Sequence, residues 1–272
     1  MHRAVTRSVM PIAQWIPWPA QPAGLRALTL AMALAWTVAS SVHASAEPRH
    51  ATGEISGPGA VNGTLPKVLI IGDSISIGYT DAVRERLETV ADVRRIPGNG
   101  QSTDFGLENI DAWLGAEKWD VIHFNWGIWD THLIEGTRIR NTTAQYRENL
   151  RRLVERLKAT GANLVWASTT PIAFDITGDL GVESKNTPIY NGVARSVMRE
   201  FRVPVDDLYR RALPRLEALQ TEDGVHFTPE GSEYLADSVA RSIQRELHAR
   251  VTPSLPRLQA VRSNARPRHA PE

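Results

Sequence analysis

The sequence predicts a doubly wound α/β layer sandwich on a mostly parallel sheet of about five strands. Three observations carry that expectation. Short runs rich in apolar residues at 68–71, 119–124 and 163–167, and the short stretch Val93 to Ile96, read as strands, the first of them buried on both faces. The stretches between them place apolar residues at helical spacing. The alternation continues along the chain at spacings that suit right-handed crossovers, with no internal repeat.

The chain has 272 residues, 42% of them hydrophobic and 22% charged, which suits one soluble globular domain with extensions. The absence of cysteine excludes disulfides, thiolate zinc sites and cysteine nucleophiles. Arg3, Arg7 and Arg26 are the only Lys, Arg, Asp or Glu residues before Glu47. Residues 27–39 are rich in Leu, Ala, Met, Trp and Val, and Ala44-Ser45-Ala46 follows shortly after. Basic region, apolar core and small-x-small site together describe a secretory signal peptide over residues 1–46. About thirteen apolar residues are short for a membrane span. The expected location is therefore secreted or periplasmic, with no stable membrane insertion after cleavage. Cleavage would take the formal charge from +1 to −2, leaving no nucleic-acid footprint. Residues 47–65, rich in Gly, Pro, Ser and Thr, read as a flexible linker. Residues 66–250 form the folded domain, and 251–272, with Arg257, Arg262, Arg266 and Arg268 among prolines, a disordered basic tail.

Within the domain, residues 68–71 run into Gly72-Asp73-Ser74. The first helix is expected over 81–90, with Val83, Leu87 and Val90 on one face. The second strand, 93–96, ends in Pro97-Gly98-Asn99-Gly100, and 105–114 read as a helix. The third, 119–124, stops at Asn125-Trp126-Gly127-Ile128-Trp129-Asp130. Residues 143–160 make the clearest helix, with Tyr146, Leu150, Leu153, Val154 and Leu157 on one stripe and Gly161 as its stop. After the fourth strand comes a loop, 174–185, whose length and lack of periodicity mark it as functional. Ile189, Val193, Val197 and Phe201 define the next helix, 203–208 a short edge strand, and Leu213, Leu216 and Leu219 a further helix. The last helix opens with Thr228 as N-cap and Pro229 at its first position, and buries Leu235, Val239, Ile243 and Leu247.

In open α/β sheets ligands bind at the carboxyl ends of the strands. Ser74 lies at the first of these ends, near a helix N-terminus, yet a serine hydroxyl is inert without a base. Asp223 and His226, in the loop before the last helix, supply a candidate. The carboxylate can hold one imidazole nitrogen and leave the other to take the proton of Ser74. An oxyanion then needs donors. The N–H of Ser74 is one; Gly100, lacking a Cβ, lets a second backbone N–H approach closely; Asn125 offers a side-chain amide. A plain β-turn at Gly98 to Gly100 and a strand-ending cap at Asn125 stand as alternatives. His123 reads as a packed core residue and Asp73 as a local acceptor for the turn. Trp126 and Trp129 read either as an apolar or sugar-stacking wall or as core. His132 has no partner at metal-ligand spacing, and no metal or cofactor is implied. Asn62-Gly63-Thr64 and Asn141-Thr142-Thr143 match the glycosylation acceptor pattern.

Over about residues 66–247 these motifs resemble the SGNH hydrolases, also called GDSL esterases and lipases. Gly72-Asp73-Ser74 is similar to the block that carries the nucleophile, Gly100 to the second-block glycine, and Asp223-Gly224-Val225-His226 to the final Asp-x-x-His block. The resemblance implies a flavodoxin-like three-layer fold and a serine esterase that needs no metal. The third block departs: where the family has Gly-x-Asn-Asp, this chain has Gly127-Ile128-Trp129-Asp130. Asn125, two residues before the glycine, is then the candidate side-chain donor.

The expectation is an exported carboxylic-ester hydrolase with Ser74, His226 and Asp223 as its triad and Ser74, Gly100 and Asn125 around the oxyanion. The substrate is a small-molecule or glycan ester, with O-acetyl groups on carbohydrate preferred. Lysophospholipase or thioesterase activity on the same fold is the alternative within the class. A glycan-binding protein without catalysis is the alternative outside it, motivated by Trp129.

Overall fold

In the computed structural model, which describes residues 64–178 and 180–251, the apolar run after Pro66 becomes the strand β1 (Lys67–Ile71). The chain continues through α1 (Ser74–Leu87), β2 (Asp92–Arg95), α2 (Thr103–Leu114) and β3 (Val121–Phe124). A short excursion follows, with a 3₁₀ turn at Trp129–Thr131, β4 (Leu133–Ile134) and β5 (Arg138–Ile139). Then come α3 (Thr143–Lys158), β6 (Asn163–Ala167), β7 (Leu180–Gly181), α4 (Asn186–Phe201) and β8 (Val205–Asp206). Short α5 (Leu208–Ala212) and α6 (Leu216–Leu219) lead to α7 (Pro229–Val251). The expected signal segment 1–46, linker residues 47–63 and tail residues 252–272 lie outside the described residues. Among those described, no helix is long and apolar enough to cross a membrane.

The main sheet has five strands, all parallel, in the order β2-β1-β3-β6-β8. The pleat sorts β1 between two cores. Val68 and Ile70 face Tyr79, Val83, Leu235, Val239 and Ile243 of α1 and α7. Leu69 and Ile71 face the opposite layer, with Ile110 of α2, Leu150, Leu153 and Leu157 of α3, and Val197 of α4. Because both faces are covered, every residue from Val68 to Ile71 is buried, which is why the strand reads as an unbroken apolar run. The result is the three-layer, flavodoxin-like α/β arrangement expected from the sequence. The chain order reverses direction between β1 and β3, and the crevice above those two carboxyl ends is where such sheets hold ligands.

The stripe on α3 is buried as expected, and Thr142 and Gln145 close its N-terminus with a reciprocal capping box. The N-terminus of α7 also follows expectation: Thr228 Oγ1 accepts from the N–H of Gly231 at 3.0 Å, with Pro229 at the first position. Three departures are instructive. First, α1 begins at Ser74, seven residues before the expected start. Ser74-Ile75-Ser76-Ile77-Gly78 has weak helix propensity, but packing against α7 holds it: a Cβ on Gly78 would stand 3.0 Å from Ser232 Oγ. Second, the helix expected through Leu213, Leu216 and Leu219 is a 3₁₀ turn at Leu213–Arg215 followed by the short α6, with α5 ahead of them where the edge strand was expected to end. Pro214, in that turn, has no N–H for a continuous helix. Third, the loop at 174–185 is partly ordered as sheet. β7 pairs antiparallel with β4, which pairs with β5, in a small separate sheet. Ile176 and Val182 exchange two backbone hydrogen bonds of 2.8 Å. Strands of two residues are too short to show an alternation.

Two glycines test the packing of the helical layers. A Cβ on Gly106, in α2, would lie 2.8 Å from Nε1 of the buried Trp126. Gly106→Ala should destabilise the fold by about 1–3 kcal/mol in spite of its better helix propensity. Gly192, in the interior of α4, has nothing within 4 Å of an added Cβ, and Gly192→Ala should stabilise by about 0.5–1 kcal/mol. Chemical denaturation of both variants checks the opposite signs.

Candidate active site

At the end of β1 the backbone turns through Gly72 and Asp73 into α1. Asp73 is the N-cap: its backbone is extended and its carboxylate accepts from the N–H of Ile75 at 3.0 Å. The cap makes Ser74 the first helical residue, where a backbone N–H has no intrahelical acceptor and the helix end carries partial positive charge. Burial raises the carboxyl of Asp73, against the lowering effects of its bond from Ile75 and the nearby charges of His226 and Arg95.

The loop before α7 comes to the same place. His226 Nε2 lies 2.9 Å from Ser74 Oγ, across 152 positions of sequence. His226 Nδ1 lies 2.5 Å from Asp223 Oδ2. The other carboxylate oxygen of Asp223 accepts from the N–H groups of Val225 and His226, each at 2.9 Å, and from the Thr221 hydroxyl at 2.7 Å. Partial burial pushes this carboxyl up, but these hydrogen bonds and the imidazole outweigh it and hold it at about 2. Asp223 therefore stays ionised in any neutral or mildly acidic medium. Its backbone bonds also fix the side chain that orients the ring. Gly224 has φ +74, and the ring of Phe174 lies so close that a Cβ there would stand 2.7 Å from it. The N–H of Ala173 donates to Gly224 O at 2.9 Å, so the segment after β6 clasps this loop.

The geometry brings Ser74, His226 and Asp223 into one hydrogen-bonded line. It treats the two other sequence-selected donors differently. The N–H of Gly100 is committed to Gly72 O at 2.9 Å. A Cβ on Gly100 would stand 2.8 Å from that same oxygen, so the missing side chain serves close approach of two turns. Asn125, buried at the tip of β3, donates its amide to Ala167 O at 2.8 Å and Thr169 Oγ1 at 3.2 Å, joining β3 to the turn after β6. Either group would have to give up a protein acceptor to meet an oxyanion. Among the described residues, no protein acceptor engages the N–H of Ser74.

The aromatic candidates also separate. Trp126 is fully buried, its indole N–H donating to Gly100 O at 3.2 Å. Trp129 is half-buried, lies tilted against His132 with ring centroids 4.7 Å apart, and packs on the small cluster of Ile128, Ile172 and Val182, as does Val225, the residue before His226. His123 is core, as expected, on the α1–α7 face of β3 and 3.2 Å from Asp206 Oδ2. Burial drives His132 down to about 4. No group of three or more metal-ligating side chains occurs among the described residues.

Two polar clusters at the site escaped the sequence reading. Arg95, at the end of β2, reaches under the Ser74 turn. Asp130, fully buried, accepts from both the N–H and hydroxyl of Thr103 and from Asn141 Nδ2, tying the first residue of α2 to the segment after β3. Asn141 gives its amide to Asp130 at 2.8 Å and Asp104 at 2.9 Å. It is therefore a structural strut in the folded domain, in spite of its match to the glycosylation pattern. The position of Asp130 in the third block was the available signal for its cluster.

Burial pushes Asp130 up to about 7 against the bonds from Thr103 and Asn141. A carboxyl raised in the folded state binds its proton more tightly there than when unfolded. That stabilisation is complete below about pH 4 and is lost as the pH rises through about 7. Denaturation midpoints measured from pH 4 to 8 should fall across this window, and Asp130→Asn should flatten the slope while lowering stability at pH 5.

Comparison with known proteins agrees with this architecture. A model of the GDSL-like Lipase/Acylhydrolase family matches residues 70–234. Among solved structures, a lipase/acylhydrolase from Enterococcus faecalis superposes with a TM-score of 0.56 at 24% identity, covering 66% of this chain and 96% of its own. An acetylxylan esterase from Geobacillus stearothermophilus gives 0.53 at 19% identity, covering 67% and 94%. Another acetyl xylan esterase gives 0.55 at 17%, covering 65% and 99%. At these identities the likeness is one of fold. No curated protein matches the sequence.

Proposed function

The chain belongs to the GDSL-like lipase/acylhydrolase family, and we propose that it is an exported serine esterase that cleaves carboxylic esters through Ser74, His226 and Asp223. The observation that carries this reading is the line from Asp223 through His226 to Ser74 Oγ at the start of α1. In the proposed reaction Ser74 Oγ attacks the acyl carbon while His226 Nε2 takes its proton. Asp223 holds the other ring nitrogen and stabilises the imidazolium. The oxyanion of the tetrahedral intermediate is met by the N–H of Ser74 at the positive end of α1. Collapse returns the proton from His226 to the departing alkoxide. Water then attacks the acyl-enzyme with His226 again as base, and collapse breaks the bond to Ser74 Oγ, which regains its proton from His226 as the acid leaves. Gly100 and Asn125 take part in this scheme as shapers of the oxyanion hole, and either becomes a donor only by exchanging its present acceptor for the oxyanion.

O-acetyl groups on carbohydrate remain the preferred substrate, supported by the export signal pattern at residues 1–46 and by acetyl xylan esterases among the fold relatives. Of the two tryptophans, only Trp129 is exposed enough to touch a sugar. A second reading, a longer acyl chain as in a lysophospholipase or thioesterase, draws on Ile77 and Phe174. Both are about half exposed; Ile77 is one helical turn from Ser74, and Phe174 covers Gly224.

Ser74→Ala should abolish labelling by a fluorophosphonate probe and reduce kcat on p-nitrophenyl acetate by at least about 10³-fold. Equal labelling of the variant and the wild type would remove the catalytic reading in favour of a glycan-binding one. Asp223→Asn, which offers the wrong hydrogen-bonding partner to the ring, should cost about 10²–10⁴ in kcat. A preference for acetyl over long-acyl p-nitrophenyl esters separates the two substrate classes.

A further inference from the structure

Arg95 closes β2, and its guanidinium lies half-buried below the turn that carries Ser74. A guanidinium has five N–H donors in a planar fork. Here five hydrogen bonds engage them: Nε donates to Ser76 Oγ at 3.0 Å, Nη1 to Ile96 O at 2.8 Å and Gly98 O at 2.5 Å, and Nη2 to Gly72 O at 2.9 Å and Asp73 O at 3.1 Å. No carboxylate forms an ion pair with it among the described residues. Besides the Ser76 hydroxyl, its partners are four backbone carbonyls, two from the turn after β1 and two from the turn after β2.

Such an arrangement has a consequence through the peptide plane. No peptide bond in the described chain is cis, so the carbonyl of Asp73 and the N–H of Ser74 point in opposite directions. Arg95 Nη2, with Ser76 Oγ at 2.7 Å and the N–H of Ile77 at 3.3 Å, holds Asp73 O on one side of this peptide and so sets the opposite direction of the Ser74 N–H. The same cation holds Gly72 O, which also accepts the Gly100 N–H, and so fixes the height of the second-block turn relative to the first. Lysine could not substitute: three tetrahedral donors on a flexible stem cannot span four carbonyls on two loops.

We propose that Arg95 is the positioning residue of the oxyanion hole, aiming the Ser74 N–H by pinning the carbonyls behind it. The assignment rests on the esterase reading above. It goes beyond it in naming a residue that touches neither substrate nor the Ser–His–Asp line and acts through the backbone.

Arg95→Ala should lower kcat on p-nitrophenyl acetate by about 10²-fold, the scale of one mis-set oxyanion donor, with KM within about threefold. Millimolar ethylguanidinium should restore at least about tenfold of that loss, whereas ethylammonium should not. Arg95→Lys should keep most of the defect. If Arg95→Ala does not fold, Arg95→Lys carries the same test. A kcat within about threefold of wild type for the folded variants overturns the proposal, and so does a loss that guanidinium cannot reverse but that follows the fall in stability. Ser74→Ala measured alongside distinguishes the failures. If it retains hydrolysis, the esterase reading falls; if it loses hydrolysis while the arginine variants keep theirs, only the role of Arg95 falls.

Discussion

The packing of α1 against α7 is the constraint on which the site depends. Ser74 begins one helix and His226 stands just ahead of the other, so the distance between hydroxyl and imidazole is set by how closely and in what register the two helices lie. Gly78 and Ser232 provide the point of close approach, where a Cβ on the glycine would stand 3.0 Å from Ser232 Oγ. Below it Tyr79, Ala82 and Val83 interlock with Leu235, Ala236 and Val239 over the face of β1 and β3. At the rim Arg86 reaches Glu233 at 2.7 Å and Asp237 at 2.9 Å. The exposed ion pairs contribute little energy; the buried apolar interface and the glycine contact carry the alignment. A loop residue is thus held with the rigidity of a helix pair.

Above the sheet the loops are held by polar clamps. Three of these clamps join neighbouring strand ends and the segments that follow them: Arg95 between the ends of β1 and β2, Asp130 between the first residue of α2 and the segment after β3, Asn125 between the ends of β3 and β6. Buried polar groups of this kind are costly unless satisfied. Here they are satisfied by one another. The turns that surround Ser74 therefore form a connected layer, and a change in one of them is passed to the next through a shared acceptor such as Gly72 O.

Much of this was legible in the sequence because the relevant signals are local. The burial of β1 on both faces shows in Val68 to Ile71, the α3 stripe in its spacing, the α7 start in Thr228-Pro229, and the Asp223–His226 pairing in a three-residue interval. The nature of the Gly72-Asp73-Ser74 turn was legible too, though not that α1 starts within it, because Gly78 and Ser76 look like breakers until the partner helix is present. The commitments of Gly100 and Asn125 were hidden for a different reason. A glycine or an amide advertises a capacity to donate, and only the fold determines which acceptor arrives. Arg95 was invisible on the same grounds. A charged residue at the end of a short strand resembles any solvated arginine, and its four carbonyl partners come from backbone, which leaves no mark on the sequence.

The placement of the two halves of the site along the chain has a consequence for the order of synthesis. Ser74 emerges 152 residues ahead of His226, and the sheet strands can assemble before α7 is made. Until that helix docks, the hydroxyl has an N-cap beneath it but no imidazole beside it. On the esterase reading proposed above, a chain whose α7 has not yet covered the face of β1 and β3 holds the hydroxyl without its base.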